Sequence, residues 1–273
     1  MSGSTAELEL AGGVVLLTRH WASSQPDATI VTVHGAAEHS GRWGHVGQFL
    51  ADSGFDTHAY DMRGHGRSGG HPMYVDSFDD YLGDLEAILE RARQPGRPLI
   101  VYAHSLGGLV GAAYGTSSRP QPDLFVLSAP ALGSTTPRVL RALAFILGGV
   151  LPRLTAPTAI ANEQLSKDPS VGDAYQRDGL VHGRGSLRLG REVFKAMADT
   201  KRRLNRLTTP TLVIHGADDQ LVPATISMPL GDLPNVNRKV FADLRHEMHN
   251  EPESEMVLAY VVAWIRGQLA AAA

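Results

Sequence analysis

The chain has 273 residues, 43% of them apolar, and a formal net charge of -3. That is enough apolar material for a large core, with no basic excess to hold a nucleic acid and no run of like charges. It has no cysteine, which removes disulfides, thiolate metal sites and a thiol nucleophile.

The opening MSGSTAELELAGGVVLLTRHW has neither the basic start of a signal peptide nor an apolar run long enough to span a bilayer. With the absence of cysteine, this leads to the expectation of a cytoplasmic protein. Glu7 to Trp21 reads as a β-hairpin turning at Gly12-Gly13. Thr29 to His34, Leu99 to Ala103, Leu124 to Ser128 and Thr211 to His215 are continuously apolar runs, the pattern of strands buried on both faces of a parallel sheet. Phe55 to Asp61 and Asn237 to Ala242 add two less apolar strands.

Helical patterns lie between these runs, over Trp43 to Asp52, Phe78 to Arg93, Leu106 to Tyr114, Arg191 to Leu204 and Glu253 to Leu269. The last follows Pro252, with glutamates in or beside its first turn, where the positive end of a helix dipole favours them. Strands alternating with helices predict an α/β fold, a mostly parallel central sheet flanked by helices. The alternation fails between Pro130 and Thr209, where an apolar helix (Val139 to Leu151) is followed by prolines and a polar stretch. This predicts a mainly helical cap over residues 131–207, inserted into a core of residues 1–130 and 208–273.

The run LIVYAHSLGG places Ser105 at a strand-to-helix junction among small residues, close to the nucleophile-elbow pattern G-x-S-x-G. Ala103 stands where that pattern has its first glycine. A nucleophilic serine needs a histidine base, and the histidine needs a carboxylate to fix its tautomer. Asp218 and Asp219 follow the strand TLVIH, and His246 and His249 follow the next strand, so candidates occur in the order Ser, Asp, His at the carboxyl ends of strands. Two backbone N–H groups are placed to hold an oxyanion, those of Leu106 and, after the sharp His34-Gly35 turn, Ala36. No H-x-x-x-H with a third ligand occurs, so neither a metal site nor a cofactor is expected.

HGAAEHSGRW (34–43), DMRGHGRSGG (61–70), HSLGG (104–108), HGADDQLVP (215–223) and HEMHNEPE (246–253) together resemble the monoacylglycerol lipase and lysophospholipase group of α/β hydrolases. The resemblance implies a catalytic triad of Ser105, Asp219 and His246, and a small lipid ester as substrate. It further implies that Glu38, Arg42, Tyr175 and His249 bind the glycerol end, with Tyr175 on the cap stretch DPSVGDAYQRDGLV. The group's activity is cleavage of monoacylglycerols to fatty acid and glycerol. Lysophospholipase or short-chain carboxylesterase activity, and a non-catalytic lipid-binding role, are the alternatives. Ala142, Phe145, Ile146, Val150 and Leu151 offer the cap an apolar surface for an acyl chain or for transient contact with a membrane or micelle. The glycines of DMRGHGRSGG suit a tight supporting loop held by Asp61, with Arg63 and His65 packed rather than catalytic.

Overall fold

The computed structural model describes residues 3–158 and 160–272. β1 (Ser4–Glu9) and β2 (Val15–Trp21) form the expected hairpin, beginning three residues earlier than the pattern indicates. Gly12 and Gly13 both take positive φ at its turn, which glycine adopts without strain. The chain continues through β3 (Ala28–Val33), α1 (Gly44–Asp52), β4 (Phe55–Tyr60), α2 (Asp79–Ala92), β5 (Leu99–His104), α3 (Leu106–Gly115) and β6 (Leu124–Ser128). Next come α4 (Arg138–Val150), β7 (Thr155–Pro157), α5 (Pro169–Arg177), β8 (Arg184–Ser186) and α6 (Leu187–Arg202). β9 (Thr211–Gly216), α7 (Met228–Gly231), β10 (Val236–Phe241) and α8 (Ser254–Ala272) complete the fold.

The main sheet has eight strands in the order β1-β2-β4-β3-β5-β6-β9-β10. The first two pairings, β1 with β2 and β2 with β4, are antiparallel, and the rest are parallel. Successive residues of the central strands face opposite sides. Val31 and Val101 pack with Leu85 and Leu89 of α2 and Leu109 and Val110 of α3. Ile30 and Ile100 pack with Val46 and Leu50 of α1 and Val257, Val261 and Ile265 of α8. Covering both faces leaves no position for polar alternation, hence the continuous apolar runs.

From β3 the chain moves to β4 on one side, then returns across β3 to β5 on the other. The carboxyl ends of β3 and β5 therefore flank the switch point of the sheet, where such folds open a crevice.

No strand between β6 and β9 joins the main sheet. β7 and β8 pair only with each other. They were not expected from the sequence, and neither was α5. Yet α5 has clear start signals: Pro169 at its first position and the Asp168 carboxylate accepting from Ser170 N–H at 2.9 Å. α6 begins four residues before the expected Arg191, capped by Ser186 Oγ, which accepts from Leu189 N–H. Leu189 and Ala196 of α6 are buried in the core beside α3, so the segment between β6 and β9 is anchored to the core along one helix.

α3 approaches the end of β3 so closely that a methyl group on Gly107 would collide with the carbonyl oxygens of Val33 and His34. Gly107→Ala should therefore lower unfolding stability by at least about 2 kcal/mol, the range of core overpacking. A fall in the urea midpoint at unchanged m-value checks this; a parental midpoint would show that α3 can shift freely.

Candidate active site

Ser105 lies between β5 and α3 with φ 54 and ψ -114, a backbone conformation disfavoured for any residue with a Cβ. Two contacts impose it: Gly107 lets α3 reach the β3 end, and a methyl on Gly108 would press on Pro130 Cα at 2.8 Å. The turn is fastened by Ser105 N–H to Ser128 O at 2.9 Å and by Ala131 N–H to Ser105 O at 3.0 Å. Strain of this kind persists only where the surroundings over-determine it.

Ala103, the departure from the glycine pattern, is completely buried. A methyl on Gly111, one α3 turn away, would lie 3.2 Å from Ala103 Cβ. The space for the Ala103 side chain thus comes from a glycine on the facing helix.

Ser105 Oγ donates to His246 Nε2 at 2.9 Å, and His246 Nδ1–H donates to Asp219 Oδ2 at 2.7 Å. The carboxylate only accepts, which places the ring proton on Nδ1 and leaves Nε2 basic. Asp219 Oδ1 accepts from Leu221 N–H and Val222 N–H at 2.9 and 2.8 Å, so its side chain is fixed by its own loop. Burial pushes this carboxyl up, but hydrogen bonds involving His215 and His246 outweigh it and hold Asp219 far below the ordinary carboxylate range. Burial likewise opposes a charged His246 ring. The hydrogen bond and charge of Asp219, with Glu247 and Glu38 adding, leave its pKa above the ordinary histidine value. Asp218 is exposed and outside this chain of bonds.

Neither Ala36 N–H nor Leu106 N–H has a partner among the described residues. Leu106 is the first residue of α3, so its amide belongs to the positive end of that helix. His34 supports the Ala36 loop: its Nδ1–H donates to Gly35 O at 2.7 Å, and its Nε2 accepts from Met62 N–H at 2.9 Å. Burial lowers its pKa to about 4, which keeps the ring neutral and both bonds intact at physiological pH.

A cavity of about 200 Å³ opens at Ser105. Ile160, Leu165, Leu221 and Val222 supply apolar wall; Glu38, Glu247 and Tyr175 supply polar groups. Glu38 Oε1 accepts from Gly35 N–H at 2.6 Å, and Oε2 accepts from Arg42 at 2.9 Å. Tyr175 is buried, and its hydroxyl has no hydrogen-bond partner among the described residues.

Two residues expected at the substrate do not line this cavity. Arg42 spends its guanidinium on two buried carboxylates: besides Glu38 it makes a fork of two 2.6 Å bonds to Glu247, and it lies 4.8 Å from the Tyr175 ring centre. It orients cavity groups from behind. His249 is completely buried and stacks on Trp43 at 4.2 Å. Neither of its ring nitrogens has a hydrogen-bond partner among the described residues, and burial holds it neutral. It packs between Trp43 and His104.

Glu247 was missed in the sequence, although it directly follows His246. Only the fold brings it to Arg42, 205 positions away. Arg42 pulls its carboxyl down despite burial, whereas Glu38, with only part of the same guanidinium, is pushed up by burial.

In DMRGHGRSGG, Asp61 Oδ1 accepts from Ser40 N–H and Oδ2 from Arg67 N–H, and Arg63 is forked onto Asp84. His65 is buried. None of these groups lines the cavity, and Asp61 ties the Ser40 loop to the Arg67 loop.

A family model described as serine aminopeptidase, S33, matches residues 24–253. The chain is 35% identical over 268 residues to a monoacylglycerol lipase of Mycolicibacterium smegmatis, covering 94% of this chain and 95% of that one. It is 30% identical over 248 residues to phospholipase YtpA of Bacillus subtilis, covering 87% and 94%. Among solved structures it is similar to the Paleococcus ferrophilus monoacylglycerol lipase, with a TM-score of 0.85, 30% identity, and 93% and 99% of the two chains covered.

A serine–histidine pair of this geometry is active only when the imidazole is neutral. Because His246 titrates above the ordinary histidine value, the ascending limb of kcat/KM against pH should lie above that value. Glu247→Gln removes a negative charge that favours the imidazolium, so its limb should move to lower pH. An unmoved limb would show that Glu247 has no electrostatic hold on His246. Ala103→Gly should leave kcat/KM within about twofold, less than 0.5 kcal/mol in the barrier, since the methyl already has room; a larger rise in an ester-hydrolysis assay would mean that it crowds the turn.

Proposed function

The chain belongs to the serine aminopeptidase S33 family of α/β hydrolases, and we propose that within it the protein is a monoacylglycerol lipase. The observation that carries this reading is the cavity at Ser105. Ser105 faces a pocket with apolar wall and, in the same small volume, two carboxylates and a buried phenol hydroxyl that lacks a partner among the described residues. A polyol hydroxyl would satisfy Tyr175 and share the Glu38 and Glu247 oxygens, which matters because an unsatisfied buried polar group costs about 1–3 kcal/mol.

In the proposed mechanism Ser105 attacks the ester carbonyl while His246 takes its proton, and Asp219 stabilises the imidazolium. The Ala36 and Leu106 N–H groups hold the oxyanion. His246 then protonates the departing glycerol, water activated by the same ring cleaves the acyl-enzyme, and fatty acid leaves. Each role is built from residues already held in place, so little reorganisation accompanies the chemistry.

We read residues 131–207 as a cap on a core of residues 1–130 and 208–273. A cavity of about 200 Å³ is smaller than the roughly 300–1,000 Å³ usual for ligand pockets, so a long acyl chain requires the cap to move. Residues 160–182 are tied down by His39–Asp178, by Ser166 Oγ donating to Glu251 and by Glu247 N–H donating to Leu165 O. α4 instead presents Val139, Ile146 and Val150 to solvent, at 78%, 61% and 73% exposure. That face suits transient contact with a membrane or micelle surface. Among the described residues no helix is long and apolar enough to cross a membrane.

Ser105→Ala should abolish fluorophosphonate labelling and cut monoacylglycerol hydrolysis by about a thousandfold or more. Labelling that survives would overturn the nucleophile assignment. Turnover of monoacylglycerol should exceed that of lysophosphatidylcholine and p-nitrophenyl butyrate; preference for the lysophospholipid would make the protein a lysophospholipase instead. Ile146→Asp should weaken hydrolysis of emulsified long-chain substrate about tenfold, the value of one side chain's lost burial, while leaving p-nitrophenyl butyrate turnover unchanged. Equal loss on both substrates would place Ile146 in the fold rather than at a lipid surface.

A further inference from the structure

On β2 and β4, separated from β5 by β3, three side chains meet with no part in the proposed reaction. β2 and β4 run antiparallel with His20 directly opposite His58. Asp56 precedes His58 by two residues, so all three side chains project from one face. The imidazole rings stack with centres 4.4 Å apart and planes 13° from parallel. Both turn Nε2 toward the same carboxylate: His20 Nε2 lies 2.8 Å from Asp56 Oδ1, and His58 Nε2 lies 3.2 Å from Oδ2. The three donor atoms all lie within 4.8 Å of one another.

A carboxylate needs only one imidazole to form an ion pair, and two cationic rings stacked at this distance would repel. Two imidazoles and one carboxylate with donor atoms this close together are, by contrast, a ligand set for a borderline dication, which would bind each ring through a deprotonated nitrogen. We propose that His20, Asp56 and His58 bind a divalent transition-metal ion of the zinc class, with water completing its coordination. Zinc sits about 2.0–2.2 Å from nitrogen and oxygen ligands, so neighbouring ligands of a tetrahedral ion stand roughly 3.4 Å apart. Small side-chain adjustments bring the three atoms to that spacing.

The surroundings support the site in two ways. Asp56 and His58 lie on β4, which is hydrogen-bonded to strands on both sides, so their backbones are rigid. On the adjoining β3, Thr29 is in register with Asp56, and its buried hydroxyl has no partner among the described residues. It is a candidate outer-shell group for the carboxylate, a role such sites commonly need filled. The opposing charge is Arg97, whose NH1 is 3.6 Å from Asp56 Oδ2, and the ion would displace that contact. Linear patterns hide this set because the ligands come from two strands.

The ion would join the hairpin β1–β2 to the rest of the sheet. β2 meets β4 over only four residue pairs, Thr18 to Trp21, so a metal clasp here holds the sheet's outer edge. The site lies toward the amino-terminal end of β4, whereas Ser105 follows the carboxyl end of β5. Ester hydrolysis should therefore not depend on it.

Calorimetric titration of Zn²⁺ into the full chain should show one site, with Mg²⁺ giving none. His20→Asn and His58→Asn should each weaken it about tenfold or more, remove the rise in Tm that Zn²⁺ gives the parent protein, and leave p-nitrophenyl butyrate turnover intact. Should the variants fail to fold, crystals of the parent protein soaked in Zn²⁺ answer the same question. An anomalous peak between His20 and His58 supports the proposal. A peak only at other histidines, no Zn²⁺ binding, or undiminished binding in both folded variants would overturn it.

Discussion

The close docking of α3 against the carboxyl end of β3 is the constraint on which the rest of the site depends. At the switch point β3 and β5 send their chains in opposite directions, and the opening admits a helix end only if the positions turned toward the backbone of β3 and toward Pro130 carry no side chains. Gly107 and Gly108 satisfy this condition against Val33, His34 and Pro130. The helix then enters so deeply that the residue before it has no room for an ordinary turn. Ser105 takes a positive φ, its hydroxyl is lifted toward His246, and Leu106 N–H is left at the helix end without a partner among the described residues. The proposed nucleophile and oxyanion donor are thus two consequences of one packing contact. Gly111 extends the same logic along the helix, since its missing methyl makes room for Ala103.

A second constraint joins the loops around that point. Arg42 is shared by Glu38, which holds the Ala36 loop through Gly35 N–H, and by Glu247, which adjoins His246. Burying three charges is costly, and removing one partner of such a group typically costs about 3–5 kcal/mol. The network therefore fixes the distance between the oxyanion loop and the base loop more firmly than apolar packing would. It also leaves one guanidinium to serve two carboxylates, which keeps negative potential at the cavity and holds His246 toward its charged form. Two of these three side chains, Glu247 and Glu38, thus add to the larger hold that Asp219 has on the His246 charge.

The strands were legible because burial on both faces writes itself as uninterrupted apolar runs, and the hairpin because Gly12-Gly13 suits a turn with two positive φ values. Ser105 directly follows one of those strands, and candidate acids and bases lie after later strand ends, but the choice of Asp219 over Asp218 and of His246 as the base came from the family resemblance. Arg42 and Glu38 could be named as polar residues near the site, but not separated. Only the structure shows that Glu38 borders the cavity while Arg42 is spent behind it. The family resemblance implied a ligand-facing His249, yet the 3₁₀ turn at 248–250 carries it to the back, onto Trp43. α5 was obscured by low apolar content, because only Gly172 and Tyr175 in it are buried.

What stayed hidden shares one physical property, dependence on strand register or on contacts between distant loops. Glu247 meets Arg42 across 205 positions, and His20 meets Asp56 across 36. A search for H-x-x-x-H assumes a helix, whose period brings residues four apart onto one face. In a sheet the corresponding unit is Asp-x-His on one strand plus whichever residue the register sets opposite. Here that pairing of β2 with β4 places His20 against His58. A shift of one residue would turn His20 to the other face and dissolve the cluster. The register is itself held by the core, through Leu16 on β2 and Tyr60 on β4, both buried in the same cluster. The same apolar pattern that makes the fold readable therefore also decides which polar residues meet at its edge.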